Sequence, residues 1–216
     1  MLLRLVRLGE SEGNFAGALQ GSRLDTPLSE IGRRQAECLA LRLAGEGIDA
    51  VWSSPMLRAR ETADAVAALA GLGVALDADL VEFDWGGWSG RPYDGEVEKE
   101  VSGVRARWRA GETELAPSGG ESPAGAALRA DRFLARLRAS GPRAPLVVAH
   151  GRFNRILMTR LLGRALSRMD EIRQRNGSLS VFEWDGSRPA VPLLLDDISH
   201  QPPEIQNVSV LSDSAK

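Results

Sequence analysis

Three short apolar runs, each passing directly into a polar turn, constrain this chain more than any other feature. Leu2 to Leu8 is β-rich and stops at Gly9, Ala50 to Ser53 runs into Ser54-Pro55, and Leu146 to Ala149 ends at His150. Helical spacing fills the stretches between them. Ala36, Leu39, Ala40 and Leu43 form one stripe, opened by Ser29 as a cap and closed by Gly45 and Gly47. Ala59, Ala63, Val66 and Ala67 form a second, with Pro55 expected at the favoured first-turn position. Ala127, Ala130, Leu134 and Leu137 form a third, punctuated by Gly141 and Pro142, and a further helix is expected from about Asn154 to Leu162. Strand alternating with helix predicts an α/β fold: a mostly parallel sheet covered by helices on both faces, with ligands beyond the carboxyl ends of the strands. Ser178 to Trp184 and Ala190 to Leu195 read as two more strands, antiparallel, at a sheet edge.

The 216 residues fit one domain, residues 1–216, interrupted by a Gly-, Trp- and charge-rich excursion over the active face at about 82–121. A hydrophobic fraction of 43% with 26% charged residues is that of a soluble globular chain. The formal charge of −2 lacks the basic excess that phosphate-backbone binding needs, which argues against nucleic acid as the main partner. The longest nearly uncharged stretch, Ala65 to Leu76, is far short of the ~20 apolar residues of a membrane span, so no membrane association is expected. Arg4 and Arg7 interrupt the apolar amino terminus, which argues against a secretory signal. A lone Cys38, expected to be buried on a helix, suits a reducing compartment; the expected localisation is cytoplasmic. No histidine pair at ligand spacing and no thiolate cluster occurs, so neither a metal nor another cofactor is expected.

The residues beyond the strand ends are specific in kind. They are Arg7-Leu8-Gly9-Glu10-Ser11-Glu12-Gly13-Asn14 after the first strand, Ser53-Ser54-Pro55-Met56-Leu57-Arg58-Ala59-Arg60-Glu61-Thr62 after the second, and His150-Gly151 followed by Arg155 after Ala149. Glu82 with Gly86, Trp88 and Gly90, and Gly119-Gly120-Glu121-Ser122, lie in the excursion. In this order the motifs resemble those of the histidine phosphatase superfamily, the phosphoglycerate mutase-like proteins, over nearly the whole chain. The resemblance implies a three-layer sandwich and a two-step phosphoryl transfer through a phosphohistidine. It matches Arg7, Arg58 and His150 to the groups that hold the phosphoryl oxygens, Asn14 and Gly151 to accessory contacts, and Glu82 to the acid that protonates the leaving oxygen. Preorganised cations and a proton source are what such a reaction demands. Bland readings compete at some positions: Arg58 competes with Arg60 and with a solvated helix face, Asp84 lies near Glu82, and Trp85 and Trp88 read as loop packing.

The departure falls on the nucleophile. Where the family's motif reads Arg-His-Gly, this chain reads Arg7-Leu8-Gly9. Leucine has no lone pair, so the covalent route is closed and the expectation is an anion pocket that binds a small phosphorylated molecule or inorganic phosphate with little or no turnover. His150 already fills a matched position, and His200 reads as structural. Two other readings stand beside this one: a small-molecule phosphatase by origin carrying a His-to-Leu change at position 8, and a scaffold with new acid/base chemistry using Glu82 and His150. Mutase activity is less favoured, because Arg105, Arg107 and Arg109 are a sparse set for clamping an acidic substrate.

Overall fold

Alternate residues of the central strands feed two apolar clusters on opposite faces of a single sheet. The computed structural model describes residues 1–186 and 189–206. Among these residues the strands are β1 (Leu2–Arg7), β2 (Ala50–Ser53), β3 (Val74–Leu76), β4 (Pro145–Ala149), β5 (Leu179–Glu183) and β6 (Val191–Asp197), in the order β3-β2-β4-β1-β5-β6. The pairs β2–β3, β2–β4 and β1–β4 are parallel, while β5 runs antiparallel to both β1 and β6. The helices are α1 (Glu12–Phe15), α2 (Glu30–Leu43), α3 (Leu57–Ala70), α4 (Gly95–Arg109), α5 (Pro123–Ser140) and α6 (Gly151–Leu161).

Leu3 and Leu5 of β1, with Val147 and Ala149 of β4, pack against Phe133 and Leu137 of α5 and Phe153 and Leu157 of α6. Val6, Leu146 and Val148 point the other way, onto Ala36 and Leu39 of α2 and Ala63 and Val66 of α3. The two-residue period of a strand thus builds the three-layer α/β sandwich, each fully buried aliphatic or aromatic side chain adding roughly 1.5–3 kcal/mol relative to exposure. A third cluster, Phe83, Trp85, Val97, Val101, Trp108 and Ile156, anchors α4 and the loop before it to α6. Because β1, β2 and β4 are parallel, their carboxyl ends open at the same edge of the sheet.

Four local expectations need correction. Pro55 precedes the extended N-cap Met56 and lies outside the first turn of α3; the first N–H of that helix, on Leu57, instead meets the Asp25 carboxylate at 2.9 Å. The last long helix starts at Gly151 rather than Asn154, because Glu82 from a distant loop accepts from Phe153 N at 2.9 Å. The loop after β1 holds α1, a single turn closed by a Ser11–Asn14 capping box and too short to show a period. Cys38 is half-buried rather than buried. Among the described residues no helix is long and apolar enough to cross a membrane.

Candidate active site

One cleft at the carboxyl end of the sheet is lined by Arg7, Leu8, Asn14, Arg58, Glu82, His150 and Gly151. All seven site residues expected from the sequence therefore meet in one place. The cleft also takes Leu19, Gln20, Gly21, Trp85 and Arg152, which the sequence reading did not single out as site residues.

The turn after β1 is fixed by close backbone contact with α2. A Cβ on Gly9 would lie 2.5 Å from the Gly32 carbonyl oxygen, and one on Gly32 would lie 1.8 Å from that of Glu10, so neither position accepts a side chain without backbone movement. Thr62 Oγ1 accepts from Gly9 N and Gln35 Oε1 from Glu10 N, so both neighbouring helices hold the turn. This places Leu8 between the cleft and the α2/α3 core cluster, with 4% of its surface exposed.

Each cation is buried and held. Arg7 donates through Nη1 to the Gln174 carbonyl, and a Cβ on Gly151 would lie 3.2 Å from Arg7 Nε, so glycine there gives the guanidinium room beside the start of α6. Arg58 donates to the carbonyls of Leu24 and Gly21, both at 2.9 Å, and to Asp25 at 3.3 Å. Burial pulls its pKa below the ordinary arginine value, while Glu82 and Asp25 oppose that shift. The neighbouring Arg60 is exposed, which separates the two readings of that motif in favour of Arg58 as the cleft residue.

His150 follows β4 as the N-cap of α6, with its Nε2 2.8 Å from Ser54 Oγ and its buried Nδ1 without a hydrogen-bond partner. Burial, reinforced by Arg58, Arg129 and Arg7, holds the imidazole well below its ordinary pKa of 6.5. The ring is therefore neutral at neutral pH. Glu82 accepts from Phe153 N and Phe83 N, both at 2.9 Å, and from Arg152 N at 3.4 Å. The same carboxylate caps the amino terminus of α6 and faces the cleft. Asn14 Oδ1 is engaged by Ser11 N and Asn176 Nδ2, each at 3.3 Å.

The residues left outside the cleft are equally informative. Arg105 and Arg109 both bind Asp170, at 3.0 and 3.3 Å, and Arg107 pairs with Glu112 on the surface, so none of the three lines the cleft. Trp88 packs in the excursion, 6.4 Å from Trp85, whereas Trp85 both packs on Phe83 and reaches the cleft. His200 binds the Gly177 carbonyl and takes no part in the cleft. Arg155, on α6 but outside the cleft lining, lies 3.8 Å from Asp170, and burial beside Arg152 brings its pKa down to about 9. Arg152 escaped the sequence reading although it directly follows His150-Gly151, the signal that could have found it.

Residues 3–197 match the histidine phosphatase superfamily (branch 1). Phosphoserine phosphatase 1 of Hydrogenobacter thermophilus is 35% identical over 190 residues, covering 88% of this chain and 89% of that protein. The probable phosphoglycerate mutase GpmB of Photorhabdus laumondii is 33% identical, covering 85% of each. The structure of mycobacterial glucosyl-3-phosphoglycerate phosphatase with inorganic phosphate is similar with a TM-score of 0.80 at 28% identity, covering 93% of this chain and 99% of that one.

Proposed function

The chain belongs to the histidine phosphatase superfamily, branch 1, and from that premise we propose that it binds a small phosphomonoester through Arg7, Arg58 and His150 while phosphoryl transfer through a phosphohistidine is lost or severely impaired. The observation that carries the proposal is Leu8, an apolar side chain at the nucleophile position of a cleft that brings together Arg7, Arg58, a neutral His150 and the Glu82 carboxylate.

In this reading Arg7 and Arg58 meet the negative phosphoryl oxygens. Both guanidiniums are already desolvated and held by backbone carbonyls, so little reorganisation accompanies binding. His150 Nδ1 contributes a further hydrogen bond, and Asn14 and Gly151 complete the rim. Glu82 stands where a leaving oxygen would collect its proton. What the set lacks is a nucleophile, since Leu8 offers no lone pair. Removing the nucleophile of a covalent hydrolase costs on the order of 10⁶ in kcat, by analogy with a serine protease. Similarity to a phosphoserine phosphatase, a probable phosphoglycerate mutase and a phosphatase solved with phosphate supports the ligand class.

Two measurements test the proposal. Calorimetry with inorganic phosphate is expected to show binding that Arg7→Ala and Arg58→Ala each weaken tenfold or more; unchanged affinity in both variants would refute the site. Incubation with labelled phosphomonoester is expected to leave no acid-labile label on the protein. Stoichiometric label on His150 would instead establish a substitute nucleophile.

A further inference from the structure

Four residues ahead of β5, Gln174 to Gly177, bond to three residues of the cleft while lining none of it themselves. The Gln174 carbonyl accepts from Arg7 Nη1, Asn176 Nδ2 donates to Asn14 Oδ1 at 3.3 Å, and Gly177 N donates to the Leu8 carbonyl at 3.0 Å. With its oxygen engaged, Asn14 keeps Nδ2 as the group to donate to an anion. The same turn is held in its turn by the end of β6 and the residues that follow. The Asp196 carboxylate accepts from Arg175 N at 2.6 Å and Nε at 2.7 Å, and its carbonyl accepts from Arg175 Nη2. Gln201 Nε2 donates to the Asn176 carbonyl at 2.8 Å, and His200 Nε2 to that of Gly177 at 3.1 Å. The fit is close: a Cβ on Gly177, whose φ is 67°, would lie 2.6 Å from Gln201 Nε2. Asp196, with φ of 51°, is the one non-glycine residue with positive φ among the described residues. Such a conformation persists only where surrounding contacts fix it, and it gathers at functional sites.

Resting on the phosphomonoester reading above, we propose that Asp196, His200 and Gln201 are positioning residues of the phosphate site, acting through the 174–177 turn that sets the guanidinium of Arg7 and the amide of Asn14. They touch no ligand. A hydrogen bond to a phosphoryl oxygen weakens steeply as its distance and angle leave the optimum, so a turn freed of these partners lowers affinity without removing any group from the cleft. The coupling is reciprocal: phosphate held by Arg7 and Asn14 steadies the turn and the segment that holds it.

The test uses inorganic phosphate on the intact chain, in two measurements. By calorimetry, Gln201→Ala and His200→Leu are each expected to weaken phosphate binding by the folded protein about fivefold or more. His200→Gln, which keeps an N–H donor for the Gly177 carbonyl, is expected to recover the affinity to within about twofold of the wild type. Residues that served stability alone would lower the urea midpoint and leave the affinity of the folded protein unchanged. By amide hydrogen exchange on the wild type, saturating phosphate is expected to slow Gly177 N and Gln201 N about threefold or more, whereas Leu72 N, at the end of α3, keeps its rate. Unchanged affinity in folded Gln201→Ala and His200→Leu would overturn the proposal, as would equal losses in His200→Leu and His200→Gln. Unchanged exchange at Gly177 and Gln201 would overturn it even if the variants failed to fold. Those results, with phosphate bound by the wild type, refute the positioning role alone; no phosphate binding by the wild type refutes the phosphomonoester reading and the positioning role with it.

Discussion

Ser54 Oγ lies 2.8 Å from His150 Nε2, a buried bond that ties the turns after β2 and β4 together at the cleft. Met56 N donates to the same hydroxyl at 3.3 Å, which directs the hydroxyl proton to Nε2 and leaves the ring proton on Nδ1. That tautomer, assigned from the hydrogen-bond network, gives His150 a free donor for a phosphoryl oxygen. Ser54→Ala is expected to cost about 1 kcal/mol of stability by leaving Nε2 unpaired, and to weaken phosphate binding severalfold. Urea denaturation and phosphate calorimetry on this variant check both.

The neutral His150 also sets a pH dependence. Its folded pKa lies well below 6.5, so the unfolded chain binds more protons than the folded one in the interval beneath 6.5. The contribution is fully present above the unfolded pKa and is lost as pH falls through that interval. Urea denaturation at pH 7.5 and at successively lower pH should show stability falling on the acid side, and His150→Gln should flatten part of that slope. His200, also lowered by burial, contributes the same sign and remains in the variant. An identical slope in wild type and His150→Gln would contradict the buried neutral ring.

Gly32→Ala places a methyl group 1.8 Å from the Glu10 carbonyl oxygen, so the turn carrying Leu8 to Asn14 must move. A loss of about 3 kcal/mol or more is expected, accompanied by weakened phosphate binding, because backbone rather than a flexible side chain must give way. Gly45→Ala, at an open position with φ of 77°, serves as the control: it strains the chain locally and should leave phosphate affinity unchanged.

Asp170 is the one carboxylate within salt-bridge distance of both Arg152 and Arg155 among the described ion pairs. Its neighbouring guanidiniums hold its pKa far below the usual carboxylate range. Asp170→Asn removes the carboxylate that Arg105, Arg109, Arg152 and Arg155 share and is expected to cost about 3 kcal/mol. A change under about 1 kcal/mol in denaturant titration would show that the cluster is more solvated than its geometry indicates.

The sheet and its helices were legible because short apolar runs and helical stripes report local structure directly. β2 begins and ends where the sequence places it, and α2 starts after its expected cap, Ser29. Two of the errors lie where a distant partner sets a helix start. Asp25 receives the first N–H of α3, and Glu82 extends α6 back to Gly151; no local pattern announces either bond. The motif resemblance singled out the seven cleft residues, and those that follow β1, β2 and β4 meet because the ends of parallel strands open at one edge. Arg152 was not among them, since the setting of its guanidinium depends on α4 and the segment carrying Asp170 packing against α6, a long-range arrangement without a sequence period.

The central claim, that this cleft is a phosphoryl-transfer site lacking only its nucleophile, is tested most directly by Leu8→His. The residues have similar volume, and Leu8 already lies between the cleft and the α2/α3 cluster, so a ring at this position reaches the site at the cost of apolar contacts. Stability is expected to fall by about 1–3 kcal/mol while activity rises, in keeping with the cost of placing polar groups where a core prefers carbon. The measurement is turnover of a panel of phosphomonoesters by Leu8→His beside Leu8→Asn, with trapping of acid-labile phosphate on the protein. The account predicts turnover and labelled phosphohistidine in the histidine variant only; both variants folded, binding phosphate and remaining at the wild-type background would contradict it.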